Sequence, residues 1–235
     1  MLDRPEGRPR GFALFAHCFT CGKDFIAARR ICDALSAHGW GVLRFDFTGL
    51  GESEGELSGF GSNVDDLLAA AAALRQRGQG PSLLIGHSLG GAAVLAAAGR
   101  LAEVEAVVTI AAPADPTHIL RHVEGKLDEV EAQGFCTVQL AGRPFRITRD
   151  FVRETAGQTL LDHVRALDAA LFIFHAPEDD EVSVDNAAAI FAAARHPKSF
   201  ISLTGANHLL TRQADATYVA GVIAAAVERY LPAGD

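Results

Sequence analysis

Leu84-Ile85-Gly86-His87-Ser88-Leu89-Gly90-Gly91 (residues 84–91) joins a short apolar run, Ser82 to Gly86, to a small-residue run, Gly90 to Leu101. The first run has the length and composition of a buried strand, the second those of a helix. Between them stands G-x-S-x-G, the pattern of a nucleophile elbow. A turn that sharp forces unusual backbone angles on its central serine. Glycines two positions before and after it remove the side chains that would collide at the crossing. Gly91, Ala92 and Ala93 let the helix lie close to the sheet. Ser88 is then left at a helix N-terminus, where developing negative charge is favoured. By chance the pentapeptide could fall in any strand-turn-helix, so its weight rests on what surrounds it.

Working outward, short apolar runs alternate with helical patterns. Phe12–Ala16, Val42–Phe45, Ser82–Gly86, Val104–Ile110, Ala170–His175 and Ser199–Leu203 read as strands. Helical spacing covers Asp24–His38 (Phe25, Ala28, Ile31, Cys32, Leu35, closed by Gly39), Asn63–Arg77, Gly90–Leu101, Asp185–Arg195 and Gln213–Leu231. Asp65 and Asp66 are expected in a first helical turn. Continuous apolar strands separated by helices imply an α/β fold with a mostly parallel sheet covered on both faces. Right-handed crossovers bring every strand's C-terminal end to one edge, where ligands bind in such sheets. The segment 113–165 breaks the alternation with helical patterns and one hairpin, Thr137–Ile147, turning at Gly142. Inserted on the ligand edge, it reads as a small helical cap on a single domain spanning 1–235.

Three further positions on that edge complete a chemistry. A serine hydroxyl needs a base, and the base an acid that orients it. His208, in Gly205-Ala206-Asn207-His208-Leu209 after the last strand, is the base expected from chain order. His38, His118, His122 and His196 sit at helix ends or in the cap. His87 neighbours the serine but points away, and His17 ends a strand beside a loop. The acid should follow the fifth strand, where four carboxylates compete: Glu178, Asp179, Asp180 and Glu181. Asp179 is preferred, four residues past His175 with Val182 packing after it, and Asp180 is its rival. The two N–H donors that acyl transfer needs are expected from Leu89 and from Phe19 in the loop after the first strand. His17, Cys18 and His87 are candidates to line the substrate pocket.

Bulk properties exclude other classes. The 235 residues are 49% hydrophobic and 21% charged, with a net charge of −8. An acidic surface disfavours nucleic acid and anionic membrane as partners. The Ala-rich run Leu67–Leu74 is too short to span a bilayer. No apolar leader follows the first arginines, so the four cysteines (Cys18, Cys21, Cys32, Cys136) are expected reduced, in a cytoplasm.

Taken together the chain resembles the α/β-hydrolase superfamily. It is most similar to the hydrolase half of bifunctional α/β-hydrolase/OsmC-type fusion proteins. The segments carrying this are Ala13–Asp24 (ALFAHCFTCGKD), Leu43–Ser53 (LRFDFTGLGES), Leu84–Ala98, Ile110–Pro116 (IAAPADP) and Ala194–Ser199. The resemblance implies carboxylic-ester hydrolysis, and it carries Ser88, Asp179 and His208 at the matching positions. No OsmC-like segment follows Asp235, so coupling to that domain's peroxide chemistry is not expected. Members usually carry one or two strands before the one matching Phe12, whereas only about ten residues precede it here. An edge strand is therefore expected to be missing, leaving a sheet edge open to pairing with a second copy.

The chemistry expected is cleavage of a small ester, with short acyl chains favoured, through an acyl-enzyme. It calls for no metal or organic cofactor. A thioester, amide or lactone would use the same groups, with the cap deciding. Arg143, Arg146 and Arg149 could bind a carboxylate or simply face water. A reading of another class takes Cys18-Phe19-Thr20-Cys21 as a redox-responsive element of a binding or regulatory protein. In thioredoxin-like proteins C-x-x-C opens a helix in another fold, so two small packing residues are the expectation here. Were the pair oxidised, the loop would distort and activity would fall. A zinc site is not expected, for want of a second Cys or His pair.

Overall fold

In a computed structural model, which describes residues 1–140 and 143–231, nine strands and eight helices alternate along the chain. The strands are β1 (Leu2–Asp3), β2 (Gly11–Ala16), β3 (Trp40–Arg44), β4 (Leu83–His87), β5 (Ala106–Ile110), β6 (Phe135–Leu140), β7 (Arg143–Thr148), β8 (Ala170–His175) and β9 (Lys198–Ser202). The helices are α1 (Ile26–Ala37), α2 (Phe60–Arg75), α3 (Leu89–Ala98), α4 (Leu127–Gln133), α5 (Arg149–Ala156), α6 (Leu160–Ala166), α7 (Asp185–Ala193) and α8 (Gln213–Val227). Seven strands form one sheet in the order β1-β3-β2-β4-β5-β8-β9, parallel except for the antiparallel β1–β3 pair.

The period of two in the strands explains why they read as unbroken apolar runs. Leu14 and Ala16 of β2, Leu84 of β4, Val107 of β5 and Leu171 and Ile173 of β8 face one core, beneath α2, α3, α6 and α7. Ala13, Phe15, Leu83, Ile85, Val108, Phe172 and Phe174 face the other, beneath α1 and α8. Both faces are buried, so both parities must be apolar. Helix α3 is buried all round, as its composition of Leu, Gly, Ala and Val requires.

The chain runs from β2 out to β3 and returns across β2 to β4. The loops following β2 and β4 therefore diverge at the switch point of the sheet, the place where a crevice opens. Ser88 sits in that crevice with φ 53°. Its N–H donates to the Ile110 carbonyl (2.8 Å), and its own carbonyl accepts the Gly91 N–H (2.8 Å).

Two expectations are corrected here. The sheet edge beside β3 is not bare, because Leu2 and Asp3 pair antiparallel with Leu43 and Val42. Arg44, nearly buried, anchors this strand through Asp3 and also pairs with Asp24 in the loop before α1 (2.6 Å each). Helix α2 begins at Phe60 rather than Asn63, so Asp66 lies beyond its first turn. It accepts instead from the N–H (2.7 Å) and hydroxyl (2.9 Å) of Thr48, bracing the loop after β3. The hairpin runs over β6 and β7, with Phe135 opposite Thr148. Gly142, expected at its turn, and the Arg143 side chain lie outside the described residues. Among the described residues no helix is long and apolar enough to cross a membrane.

A Cβ at Gly90 would press on the carbonyl oxygens of Ala16 and His17, the latter at 2.5 Å. Helix propensity alone favours Gly→Ala by about 1 kcal/mol, whereas forcing an atom into close-packed backbone costs about 3 kcal/mol. Gly90→Ala is therefore expected to destabilise the chain despite its helical position, read as a lower urea midpoint. An unchanged or raised midpoint would contradict this packing.

Candidate active site

Three side chains from three strand ends meet above the switch point. Nε2 of His208 lies 3.1 Å from Oγ of Ser88. Nδ1 of His208 lies 2.8 Å from Oδ2 and 3.2 Å from Oδ1 of Asp179. Ser88 follows β4, Asp179 follows β8, and His208 lies in the loop after β9. The Asp179 side chain is fully buried. Its Oδ1 accepts the backbone N–H groups of Glu181 and Val182 (2.9 Å each), which closes the acid loop into a tight turn. Burial alone would raise its pKa. The His208 imidazole and these two N–H donors outweigh that, and the net direction is downward, so the carboxylate stays charged. In such an arrangement the imidazole can take the proton from the serine oxygen as it attacks, while the buried carboxylate orients the ring and stabilises its cation.

The competing carboxylates fall elsewhere. Asp180 is exposed. Glu178 accepts the Gly205 N–H (3.2 Å). Glu181 is paired with Arg121 of the cap segment, whose guanidinium also donates to the Glu181 carbonyl (2.5 Å). That pairing ties the segment over the crevice to the loop that carries Asp179.

Beside Ser88, the N–H groups of Leu89 and Phe19 donate to no protein acceptor among the described residues. Leu89 opens helix α3, and Phe19 lies in the loop after β2. His17 shapes that loop. Phe47 N–H donates to its Nε2 (3.2 Å), so Nδ1 carries the proton and donates to the Cys18 carbonyl (2.7 Å). Burial lowers the pKa of His17, offset in part by the bond to Cys18. Beneath the same loop Asp46 accepts the backbone N–H (2.5 Å) and ammonium (2.6 Å) of Lys23.

A cavity of about 280 Å³ covers Ser88, walled by Phe19, Ile119, Leu140, Val182, Leu209 and His118 among others. Cys18 lines it as expected, but His17 and His87 do not. Both are almost fully buried, their rings spent on backbone hydrogen bonds beneath the floor of the crevice. The Phe19 ring packs between the cavity and two cap residues, Phe145 (centroids 5.7 Å apart) and Phe151 (5.9 Å). Arg146 stacks over Phe135 (4.2 Å) and Arg149 pairs with Glu131, so neither reaches the cavity. Cys18 and Cys21 are not two separate packing residues. They are joined as a disulfide, with Cα atoms 5.2 Å apart, within the span such a bond bridges.

His175 went unassigned in the sequence beyond its place at a strand end. It is fully buried, and its Nε2 donates to the Val182 carbonyl (2.7 Å), closing the far side of the acid loop. A polar residue ending an otherwise apolar strand just before a carboxylate cluster was the available signal.

The sheet order, the serine turn and the switch-point crevice define an α/β-hydrolase fold. Residues 8–137, more than half of the chain, match the family model described as serine aminopeptidase, S33, and the chain belongs to this hydrolase family. The esterase domain of a Rhodothermus marinus protein is 47% identical, with a TM-score of 0.79 covering 97% of this chain and 91% of that one. The mouse palmitoyl-protein thioesterase ABHD10, mitochondrial, is 31% identical over 170 residues, or 68% of this chain. The match spans only 55% of that protein's length. The solved structure of mouse ABHD10 superposes with a TM-score of 0.79 at 24% identity, over 97% of this chain and 93% of that one.

Asp179 and Asp180 separate cleanly in an experiment. Asp179→Asn is expected to lower kcat for p-nitrophenyl butyrate by about 10³- to 10⁴-fold, as loss of an orienting carboxylate does. Asp180→Asn should stay within about twofold, as an exposed side chain would. The reverse ranking would move the acid to Asp180.

Proposed function

We propose that this chain hydrolyses carboxylic esters of short acyl chains through an acyl-enzyme formed on Ser88. The observation that carries the reading is the unbroken chain from Ser88 Oγ through His208 to the buried Asp179. His208 takes the serine proton as Oγ attacks the acyl carbon. The Phe19 and Leu89 N–H groups stabilise the oxyanion. The tetrahedral intermediate collapses, and the alkoxide leaves with the proton from His208. Water, deprotonated by the same imidazole, then releases the acid and restores the serine.

The acyl-length preference rests on the cavity of about 280 Å³, at the small end for a ligand pocket. A thioester would react through the same groups, and the relatives named palmitoyl-protein thioesterase favour testing one. The narrower kinship with OsmC-fused hydrolases rests on the HCFTC loop and its neighbouring segments alone. Ser88→Ala is expected to remove turnover of p-nitrophenyl acetate and butyrate. Wild type should cleave these faster than the palmitate ester, and should take up a fluorophosphonate probe. Turnover surviving in Ser88→Ala would end the proposal, and faster cleavage of the palmitate ester would end its short-chain part.

A second reading, thiol-dependent control of the same site, is favoured by the joined Cys18–Cys21 pair. Cys18 lines the cavity over Ser88, while Cys21 lines a neighbouring cavity of similar size under the hairpin. The Cys21 N–H also donates to the Cys18 carbonyl (3.1 Å), so on this reading the joined pair braces the loop that carries the Phe19 N–H. With a small-molecule disulfide as oxidant, the Cys21 thiolate attacks it and expels one thiolate. Cys18 then attacks the Cys21 sulfur and expels the second. Two protein thiols are oxidised, and one disulfide is reduced to two thiols. A cytoplasmic setting fits this reading only if the pair cycles between the two states. Dithiothreitol should slow wild type and leave the Cys18→Ser, Cys21→Ser double variant unaffected. Equal wild-type rates with and without reductant would exclude such control.

A further inference from the structure

His87 ends β4, one residue before Ser88, and the chemistry above makes no use of it. Its Nε2 nevertheless lies 2.8 Å from the carbonyl oxygen of His208, 121 positions further along. The two rings stand 5.3 Å apart, tilted by 37°. A carbonyl oxygen only accepts, so Nε2 of His87 must carry the proton. Burial holds the imidazole neutral, its pKa pulled down to about 3, with the nearby His208 ring pushing the same way. Of the two neutral tautomers, only the one protonated on Nε2 suits this contact.

The loop that carries His208 shows why the contact matters. Gly205 and Leu210 both take left-handed backbone angles, φ 75° and 48°. The other hydrogen bonds of the loop grip residues on either side of His208: Ala206 N–H to the Leu203 carbonyl, Leu210 N–H to the Asn207 carbonyl and Asn207 to Thr211 within the loop, with Gly205 N–H reaching Glu178 (3.2 Å) and the Arg30 guanidinium the Thr211 carbonyl (2.7 Å). Among the described residues, the bond from His87 is the only hydrogen bond on the His208 backbone. Asp179 holds the His208 ring by Nδ1, which leaves the peptide free to turn about it. The bond from His87 stops that turn, and it starts from the strand that carries Ser88. Attacking oxygen and base are thereby referred to one rigid element.

We propose that His87 is a positioning residue, whose Nε2–H fixes the His208 peptide and so keeps His208 Nε2 in line with Ser88 Oγ. The proposal rests on the reading of Ser88 and His208 as nucleophile and base.

Two amide variants of the full chain separate a hydrogen bond from mere packing. The amide nitrogen of Gln reaches roughly where Nε2 lies, while that of Asn stops near Nδ1. Expected for His87→Asn is a fall in kcat for p-nitrophenyl butyrate, and in fluorophosphonate labelling rate, on the order of 10- to 100-fold, as for small misplacements of reacting groups. KM should stay near wild type. His87→Gln should recover most of both rates. Wild-type rates in His87→Asn, or equal losses in two folded variants, would overturn the proposal. Nitrogen-15 NMR of wild type at pH 7 needs no variant to fold. It should show His87 protonated at Nε2, and a neutral ring protonated at Nδ1 instead would overturn the proposal. The ring assignment does not depend on Ser88, so failure of the ester-hydrolase reading, seen in Ser88→Ala, is distinguishable from failure here.

Discussion

Helix α3 approaches the sheet so closely that its first turn has no room for side chains. A Cβ at Gly86 would overlap the Gly90 carbonyl, one at Gly91 would meet the Ala112 methyl at 2.6 Å, and one at Gly90 would strike the loop after β2. The same compression drives Ser88 to φ 53° and lifts its hydroxyl out of the turn. Everything at the crevice follows from that approach. The loop after β2 is pressed against the start of α3, so Phe19 and Leu89 come to line the same cavity over Ser88.

The buried polar groups near the site share one logic. His17, His87 and His175 each spend a ring nitrogen on a backbone carbonyl of a loop bearing a reacting or supporting group. Burial lowers the pKa of all three. A neutral imidazole can brace a loop in apolar surroundings without the desolvation cost a charge would carry. Asp179 is the exception, a buried carboxylate, and it is surrounded by His208 and two N–H donors that keep it ionised. The cap segment is joined to this arrangement at two places, Arg121 on Glu181 and Phe145 and Phe151 on Phe19.

Much of this was legible in the chain. The β8 run Ala170–His175 stands where it was read, because a strand buried on both faces has no polar position to blur its ends. Boundaries slipped where local chemistry competed: α2 starts three residues early because Asp66 serves the Thr48 turn rather than a helix start. The two-residue strand β1 was invisible, since a pair that short leaves no periodicity. It is held to the edge by its pairing with β3 and by the bond from Arg44 to Asp3. His17 and His87, candidates to line the pocket, lie beneath it, the one supporting its loop and the other turned away from the serine. A strand's alternation sends neighbouring side chains to opposite faces, and theirs face the floor.

The sequence by itself determined the element order, the serine turn and the chain order of Ser88, Asp179 and His208. Those are local properties: small residues at a tight crossing, apolar runs of strand length, polar residues just past strand ends. Only the tertiary structure decided between Asp179 and its neighbours for the place beside His208, joined Cys18 to Cys21, and brought His87 to the His208 carbonyl. The first and last of these depend on distances between residues whose separation along the chain says nothing of their separation in space, and the second on how the loop after β2 turns. Which of four adjacent carboxylates turns inward is set by a hydrogen-bonded turn, and what it meets there by a loop almost thirty residues away.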